Sequence, residues 1–262
     1  MLKEALLGEV GIQEVISIAR SAGKEIMNIY GQEFQVEFKE DKSPLTEADR
    51  KSNEIINYGL KKIDQQIPIL SEENKNISYT NRENWQYFWL VDPLDGTKEF
   101  IKKNGEFTVN IALIYERKPI LGVVYIPAKD IIYYAQEGLG SYKQNGDNAP
   151  SRILSQKRTE KDHLKVIASR SHLTQEVEEY VEEKKKEYQH VEFVSAGSSL
   201  KFCYVAEGKA DVYPRLAPTM EWDTAAGQAI ATFAGRKVYN YHTGEELFYN
   251  KKNLLNDWFV VE

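Results

Sequence analysis

The chain has 262 residues and a mass of 30.2 kDa, with 42% hydrophobic and 28% charged residues. These are ordinary globular proportions, which exclude a disordered, collagen-like or membrane-spanning chain, and the length fits one large domain or two small ones. The formal net charge of −6 argues against broad binding of a nucleic-acid polymer, which needs a basic surface, while a small phosphorylated ligand held by local cations or metals stays open.

Ile12, Val15, Ile16, Ala19, Ala22, Ile26 and Ile29 recur at helical spacing and predict an amphipathic helix over about residues 9–30. Ser43-Pro44-Leu45-Thr46 opens a second helix carrying Ile55, Ile56, Leu60 and Ile63, which Pro68 ends. Ile69-Leu70 is too short for anything but a strand, and another strand begins at Tyr87-Phe88-Trp89-Leu90-Val91. The β-rich runs Phe107–Tyr115, Ile120–Ile126 and Ile131–Ala135 follow, with separators of hairpin length, so these strands are expected to be antiparallel. Gly138, Gly140, Asn145, Gly146 and Pro150 form the best linker candidate.

Beyond it the elements alternate: strand Val166–Ala168, helix Leu173–Glu187, strand Val191–Val194, helix Ser199–Glu207, strand Val212-Tyr213 and helix Thr224–Phe233. Strands near Val238-Tyr239 and Trp258–Val261 complete the chain. The expectation is an α+β part, residues 1–150, followed by an α/β part, residues 151–262. The mixed Glu and Lys of Glu176–Glu187 read as a solvated helix face.

Cys203 is the single cysteine, so neither an intrachain disulfide nor a thiolate zinc site can form. His163, His172, His190 and His242 show no close metal-ligand pairing. Lys3, Glu4 and Glu9 interrupt the apolar letters of the N-terminus, and no run approaches the eighteen apolar residues of a membrane span. The expectation is a soluble protein of a reducing compartment.

The chemistry lies in the acids. In Trp89-Leu90-Val91-Asp92-Pro93-Leu94-Asp95-Gly96-Thr97 a buried strand runs into two carboxylates three residues apart, with a glycine and a hydroxyl behind them. Turn formation alone explains such a fragment. Glu72 and Glu73 follow the Ile69-Leu70 strand, and exposed pairs of this kind are usually inert. Asp223 opens a helix and Asp49 follows Thr46 by three, so helix capping accounts for each singly. Four acids, Glu72, Asp92, Asp95 and Asp223, all at element ends are less easily dismissed, because a hard divalent cation needs several such oxygens.

Leu70-Ser71-Glu72-Glu73, Asp92-Pro93-Leu94-Asp95-Gly96-Thr97 and Trp222-Asp223-Thr224-Ala225-Ala226-Gly227, in this order, resemble the inositol monophosphatase superfamily of metal-dependent phosphatases. The string from Trp89 to Ile114, Ser169-Arg170-Ser171-His172 and Gly197-Ser198-Ser199-Leu200-Lys201-Phe202-Cys203 are similar to its bacterial 3′(2′),5′-bisphosphate nucleotidase branch. Lys98-Glu99-Phe100 also favours that branch over the inositol one. The resemblance covers nearly the whole chain and implies a layered αβαβα sandwich, with most metal ligands in residues 1–150 and Asp223 with the nucleotide contacts in residues 151–262.

The resemblance further implies two or three Mg²⁺ ions bound by Glu72, Asp92, Asp95, Asp223 and the carbonyl of Leu94. Thr97 would orient the attacking water, Asp49 would complete a proton relay with it, and Glu72 would belong to the same catalytic set. Backbone N–H groups at Gly96 and Thr97 would face the phosphate. Glu72, Leu94, Asp95, Gly96, Thr97 and Asp223 would border the substrate, and His172, Ser198, Lys201 and Arg215 would contact the nucleotide and its second phosphate.

The implied reaction converts adenosine 3′,5′-bisphosphate to AMP and phosphate, with 3′-phosphoadenylyl sulfate as a further substrate, sulfur metabolism as the setting and Li⁺ as an inhibitor. The alternative is an inositol or sugar monophosphatase of the same fold, against which Lys98, Lys201 and Arg215 argue by offering cations to a second phosphate. A non-catalytic nucleotide- or metal-binding module is disfavoured by Thr97 beside the acid set. The expected partner is a small phosphorylated nucleotide, the chain a monomer or homodimer without integral membrane segment, cytoplasmic or peripheral at the inner face of the membrane.

Overall fold

Gly11 divides what reads in sequence as one helix. The computed structural model, which describes residues 2–38, 44–74, 76–155, 162–168 and 174–262, has α1 (Leu2–Val10) and α2 (Ile12–Tyr30) on either side of it. Gly11 sits at φ +50°, a left-handed conformation that costs glycine little. A short antiparallel ladder of β1 (Val36–Phe38) and β2 (Pro44–Thr46) leads into α3 (Glu47–Ile63). Thr46 and Asp49 form the expected capping box at its start.

The next stretch carries β3 (Ile69–Ser71), a 3₁₀ turn at Glu72–Asn74, α4 (Tyr79–Arg82), β4 (Tyr87–Asp95) and α5 (Thr97–Ile101). The meander follows as β5 (Thr108–Tyr115), β6 (Lys118–Ile126), β7 (Ile131–Gln136), β8 (Gly140–Asn145) and β9 (Ser151–Ile153). These strands form one seven-stranded sheet in the order β3-β4-β5-β6-β7-β8-β9. Only the β3–β4 pair is parallel. Residues 138–150 are therefore not a linker. They hold β8 and its flanking turns, and Gly138, Gly140 and Gly146 take the positive φ those turns require.

The rest of the chain runs β10 (His163–Ala168), α6 (Gln175–Glu187), β11 (His190–Ser195), α7 (Leu200–Ala206), β12 (Tyr213–Arg215), α8 (Glu221–Phe233), β13 (Val238–Asn240) and β14 (Phe259–Val261). β10 and β11 pair in parallel, β12-β14-β13 is antiparallel, and a bridge from Val166 to Val212 connects the two ladders.

Burial patterns assemble these pieces into layers. Val15 and Ile26 of α2 and Ile56 and Leu60 of α3 pack with Trp89, Val91, Ile111 and Val123 on one face of the large sheet. Leu90, Ala112 and Val124 on the other face pack with Phe202 of α7, Trp222 and Ile230 of α8 and Phe259 of β14. Val177 and Val181 of α6 then close over Val166, Val212 and Val260. The order is helix, sheet, helix, sheet, helix, the αβαβα sandwich expected. Because the large sheet is covered on both faces, β5 and β6 are buried almost end to end, which explains their continuous rather than alternating apolar runs.

The seat of α8 depends on a row of small residues. Gly122 pairs with Ala112 on one side and Ala135 on the other. A Cβ at Gly122 would meet the carbonyl oxygen of Ala226 at 2.5 Å and the Cβ of Ala229 at 2.8 Å, so helix and sheet touch there with no side chain between them. Gly122→Ala should push α8 outward and cost about 1–3 kcal/mol as an overpacked site. Thermal denaturation checks this: a Tm several degrees lower is expected, and an unchanged Tm contradicts the close seating.

Candidate active site

Two parallel strand ends start the site. Ser71 of β3 is in register with Val91 of β4, so the residues that follow, Glu72 and Asp92, emerge side by side. Pro93 brings no N–H to the ladder, and the β4–β5 pairing shifts register between Asp92 and Asp95. Leu94 N–H donates to Asp92 Oδ1 at 3.1 Å, and Ser52 Oγ donates to the Pro93 carbonyl at 2.7 Å, which fixes the irregular end of the strand. From the helical layer below, α8 supplies Asp223. It is the third residue of α8 and not its N-cap, and its Oδ2 accepts from Met220 N–H at 2.9 Å. Carboxylate oxygens of Glu72, Asp92 and Asp223 thus come within 4.8 Å of one another.

Asp95 stands beside this tight group of three and is not part of it. Its Oδ2 accepts from Ser199 N–H at 2.7 Å and lies 2.8 Å from Ser199 Oγ. That hydroxyl accepts from Asn110 Nδ2 at 2.8 Å and also lies 3.0 Å from the Asp223 carbonyl, linking Asp95 to α8. Asp49 Oδ2 is occupied by the Thr46 N–H at 2.7 Å and hydroxyl at 2.6 Å, while its Oδ1 accepts from Thr97 Oγ1 at 3.2 Å. Thr97 Oγ1 also lies 3.4 Å from the Leu94 carbonyl. With one proton to donate, it favours the nearer, charged acceptor. Gly96, at φ +92°, makes the turn into α5, and a side chain there would collide with Ser198 Oγ.

The electrostatics are those of a cation site. Burial pushes the Asp92 carboxyl well above the usual range, and the charges of Glu72, Asp95 and Asp223 push it further. Asp223 is raised by burial, Asp95 and Glu72 in the same way. At the 4.8 Å span of the group, two carboxylates repel by about 3.5 kcal/mol at an effective dielectric constant near 20. A set of hard, anionic oxygens with this much uncompensated repulsion fits a divalent metal of the oxygen-seeking kind.

A cleft opens beside the acids, bordered by Asp95 and Asp223 and lined by Ser198, Ser199, Lys201, Tyr213, Arg215 and Thr219 among others. Lys201 is buried. Its ammonium donates to the Ser198 carbonyl at 2.7 Å and the Ala196 carbonyl at 3.5 Å and sits 5.3 Å from the Tyr213 ring centre. Burial brings its pKa down to about 8 against the pull of Asp95, and neighbouring Arg215 lowers it too. Arg215 donates from Nη2 to the Pro218 carbonyl at 2.8 Å, while its Nε–H is buried with no partner among the described residues. Such a donor suits an anion from solution.

The structure thus gathers Asp49, Glu72, Asp92, Leu94, Asp95, Gly96, Thr97 and Asp223 in one place, with Ser198, Lys201 and Arg215 in the adjoining cleft. Lys98 also lines that cleft. His172 lies outside the described residues. Ser199, Tyr213 and Thr219 were not singled out from sequence. Ser199 carried a faint signal, two serines after a glycine at a helix start, whereas Tyr213 and Thr219 reach the cleft only through the packing of β12 and α8.

Residues 9–258 match the inositol monophosphatase family, and the chain belongs to it. It is 46% identical over 253 residues to the 3′(2′),5′-bisphosphate nucleotidase CysQ of Salmonella typhimurium, covering 95% of this chain and 98% of that one. The CysQ of Escherichia coli K12 matches with the same identity and coverage. Among solved structures, CysQ from Bacteroides thetaiotaomicron superposes with a TM-score of 0.85 at 50% identity, covering 96% of each chain. The suhB protein of Bartonella henselae does so at 0.75 and 26% identity, covering 95% of this chain and 92% of that one.

The raised acids set a pH rule. Their folded pKa values exceed the unfolded ones, so the metal-free folded state binds more protons than the unfolded state above about pH 4. Stability without metal therefore falls as pH rises through the raised pKa values, and a divalent cation should restore it. At a hundredfold excess over its dissociation constant, the cation adds about 2.7 kcal/mol. Thermal melts with EDTA or Mg²⁺ should show a Tm gain of roughly 5–10 °C at pH 8 and a smaller one at pH 5. An equal gain at both pH values, or none, contradicts the reading.

Proposed function

We propose that the chain is a Mg²⁺-dependent phosphohydrolase that removes the 3′-phosphate of adenosine 3′,5′-bisphosphate, giving AMP and phosphate, and that it accepts 3′-phosphoadenylyl sulfate as well. The observation that carries the reading is the shared wall: Asp223 of the acid cluster, and Asp95 beside it, also border the cleft that holds Lys201 and Arg215. A substrate with two phosphates can present one to each. Identity of 46% over nearly the full length to proteins named 3′(2′),5′-bisphosphate nucleotidase supports the same substrate class. An inositol or sugar monophosphate has no second phosphate for the paired cations, so the same-fold alternative leaves them unexplained.

Glu72, Asp92, Asp95, Asp223 and the Leu94 carbonyl would hold two or three Mg²⁺ ions, which supply charge neutralisation at the phosphoryl oxygens and Lewis-acid activation when bound. The protein's own residues do the rest. Thr97 gives its hydroxyl proton to Asp49 Oδ1 and keeps its lone pairs to accept from a water, which holds that water in one orientation. Asp49 in turn is fixed by both Thr46 donors, so the pair is organised before substrate arrives. The half-buried turn at Gly96 carries no side chain, so a phosphate can approach its backbone.

A division of the chain near residue 150 places Glu72, Asp92 and Asp95 in one part and Asp223 with the cleft cations in the other, so the site forms where the two meet. Among the described residues no helix is long and apolar enough to cross a membrane. Cytoplasmic placement and a monomeric or homodimeric state belong to the same reading.

Phosphate release from adenosine 3′,5′-bisphosphate, inositol monophosphate and fructose 1,6-bisphosphate, with and without Mg²⁺, tests the assignment; preference for either of the last two overturns it. A charge-assisted hydrogen bond to phosphate contributes about 1.5–3 kcal/mol. Arg215→Ala should therefore lower kcat/KM for the nucleotide by roughly 10- to 150-fold and leave an aryl monophosphate nearly unaffected. Asp92→Asn should lower both by about 10³-fold or more. Equal losses from Arg215→Ala on the two substrates remove the second-phosphate role.

A further inference from the structure

Glu221 is two residues ahead of Asp223 and has no part in the chemistry above. Its carboxylate is fully buried. Oε2 accepts from Asn250 N–H at 2.7 Å, and Oε1 accepts from Lys251 N–H at 2.9 Å and from Lys251 Nζ at 2.7 Å. A carboxylate is withdrawn this far from water only when paired and hydrogen-bonded, and here its partners among the described residues all come from the loop of residues 250–251.

The bonds continue to a metal-binding acid. The same Lys251 ammonium donates to Asn256 Oδ1 at 3.1 Å, and Asn256 Nδ2 donates to the Met220 carbonyl at 2.8 Å. Met220 N–H is the group that donates to Asp223 Oδ2. Glu221 N–H itself donates to the Leu254 carbonyl at 2.9 Å. Residues 250–256 thus grip the first turn of α8 from three directions. On the far side, Asn250 exchanges two hydrogen bonds with Arg82, side chain to side chain at 2.7 Å and side chain to backbone at 2.7 Å. Arg82 ends α4, in the segment that begins with Glu72. One loop therefore holds both the helix that carries Asp223 and the segment that carries Glu72.

We propose that Glu221, through Lys251 and Asn256, is a positioning residue that sets Asp223 against Glu72 and Asp92 so that the three acids can share a cation, and that the Arg82–Asn250 pair extends this hold to the Glu72 segment. Without it, mutual repulsion within the acid cluster would drive Asp223 away, because the capping bond from Met220 is the one hydrogen bond to that carboxylate among the described residues. A bound cation can pull the acid back, so the defect should appear in metal affinity more than in maximal rate. The proposal uses the same acid cluster as the functional reading but does not depend on which phosphate ester is hydrolysed.

Glu221→Gln keeps the shape and turns one of the two acceptors into a donor facing an N–H. Mg²⁺ titration of the substrate-free protein by calorimetry, and the Mg²⁺ concentration that gives half of the maximal Tm gain, should both show affinity weaker by about 10-fold, the lower end of what supporting shells of metal sites contribute. Turnover of an aryl phosphate at saturating Mg²⁺ should stay within about threefold of the parent. Leu60→Ala, a cavity in α3 on the opposite face of the large sheet, is the control for stability loss alone and should keep parental Mg²⁺ affinity. If Glu221→Gln does not fold, Asn250→Gly replaces it: Asn250 sits at φ +62°, which glycine accepts, so that variant loses the Arg82 pair without backbone strain and should shift Mg²⁺ affinity in the same direction. Unchanged Mg²⁺ affinity in the folded variant, or equal weakening in Leu60→Ala, overturns the proposal.

Discussion

Repulsion among buried like charges is the constraint around which this protein is organised. Three carboxylates within 4.8 Å would swing apart or take up protons if they were free to do so. The aspartates of the site resist by dividing their oxygens. Asp49 uses Oδ2 for Thr46, Asp92 uses Oδ1 for Leu94 N–H, Asp95 uses Oδ2 for Ser199 and Asp223 uses Oδ2 for Met220 N–H. One oxygen of each is anchored by local backbone or hydroxyl donors, which orients the other. Hydrogen bonds of this kind to charged acceptors are the stronger class, and they let the fold hold an arrangement that favours an incoming cation over any rearrangement of the protein.

The layers exist to bring those anchors together. Glu72 and Asp92 come from adjacent parallel strands, Asp49 and Thr97 from helices at the strand ends, and Asp223 from a helix pressed onto the opposite face of the sheet through the Ala112–Gly122–Ala135 row. A shift of α8 by the width of a methyl group would be felt at Asp223. Packing at Gly122 and hydrogen bonding at Glu221 thus act on one geometric variable from the middle and the start of the same helix.

This also explains which features could be read from the sequence. The acids were visible because strand ends, a proline and a glycine surround them, and capping at Asp49 and Asp223 is compatible with a place beside the other acids: the cap engages one oxygen of each, while the second oxygen of Asp49 accepts from Thr97 and Asp223 still reaches Glu72 and Asp92. The αβαβα order followed from the family motifs and agrees with the periodicities. What was hidden depends on partners distant in the chain. Residues 138–150 carry turn formers that look the same around a strand as in a linker, and only pairing with β7 and β9 decides. Gly11 is one glycine in an otherwise continuous apolar stripe. Ser199 and Glu221 become meaningful only once the elements they bridge are in place.

Anomalous diffraction from crystals grown with Mn²⁺ in place of Mg²⁺ would test the central claim most directly, since both ions seek the same hard oxygens. The account predicts a strong peak within coordination distance of Glu72, Asp92 and Asp223, with the anchored oxygens of Asp92 and Asp223 still on their backbone N–H partners. An ion found elsewhere, or none at the three acids under saturating Mn²⁺, would contradict it.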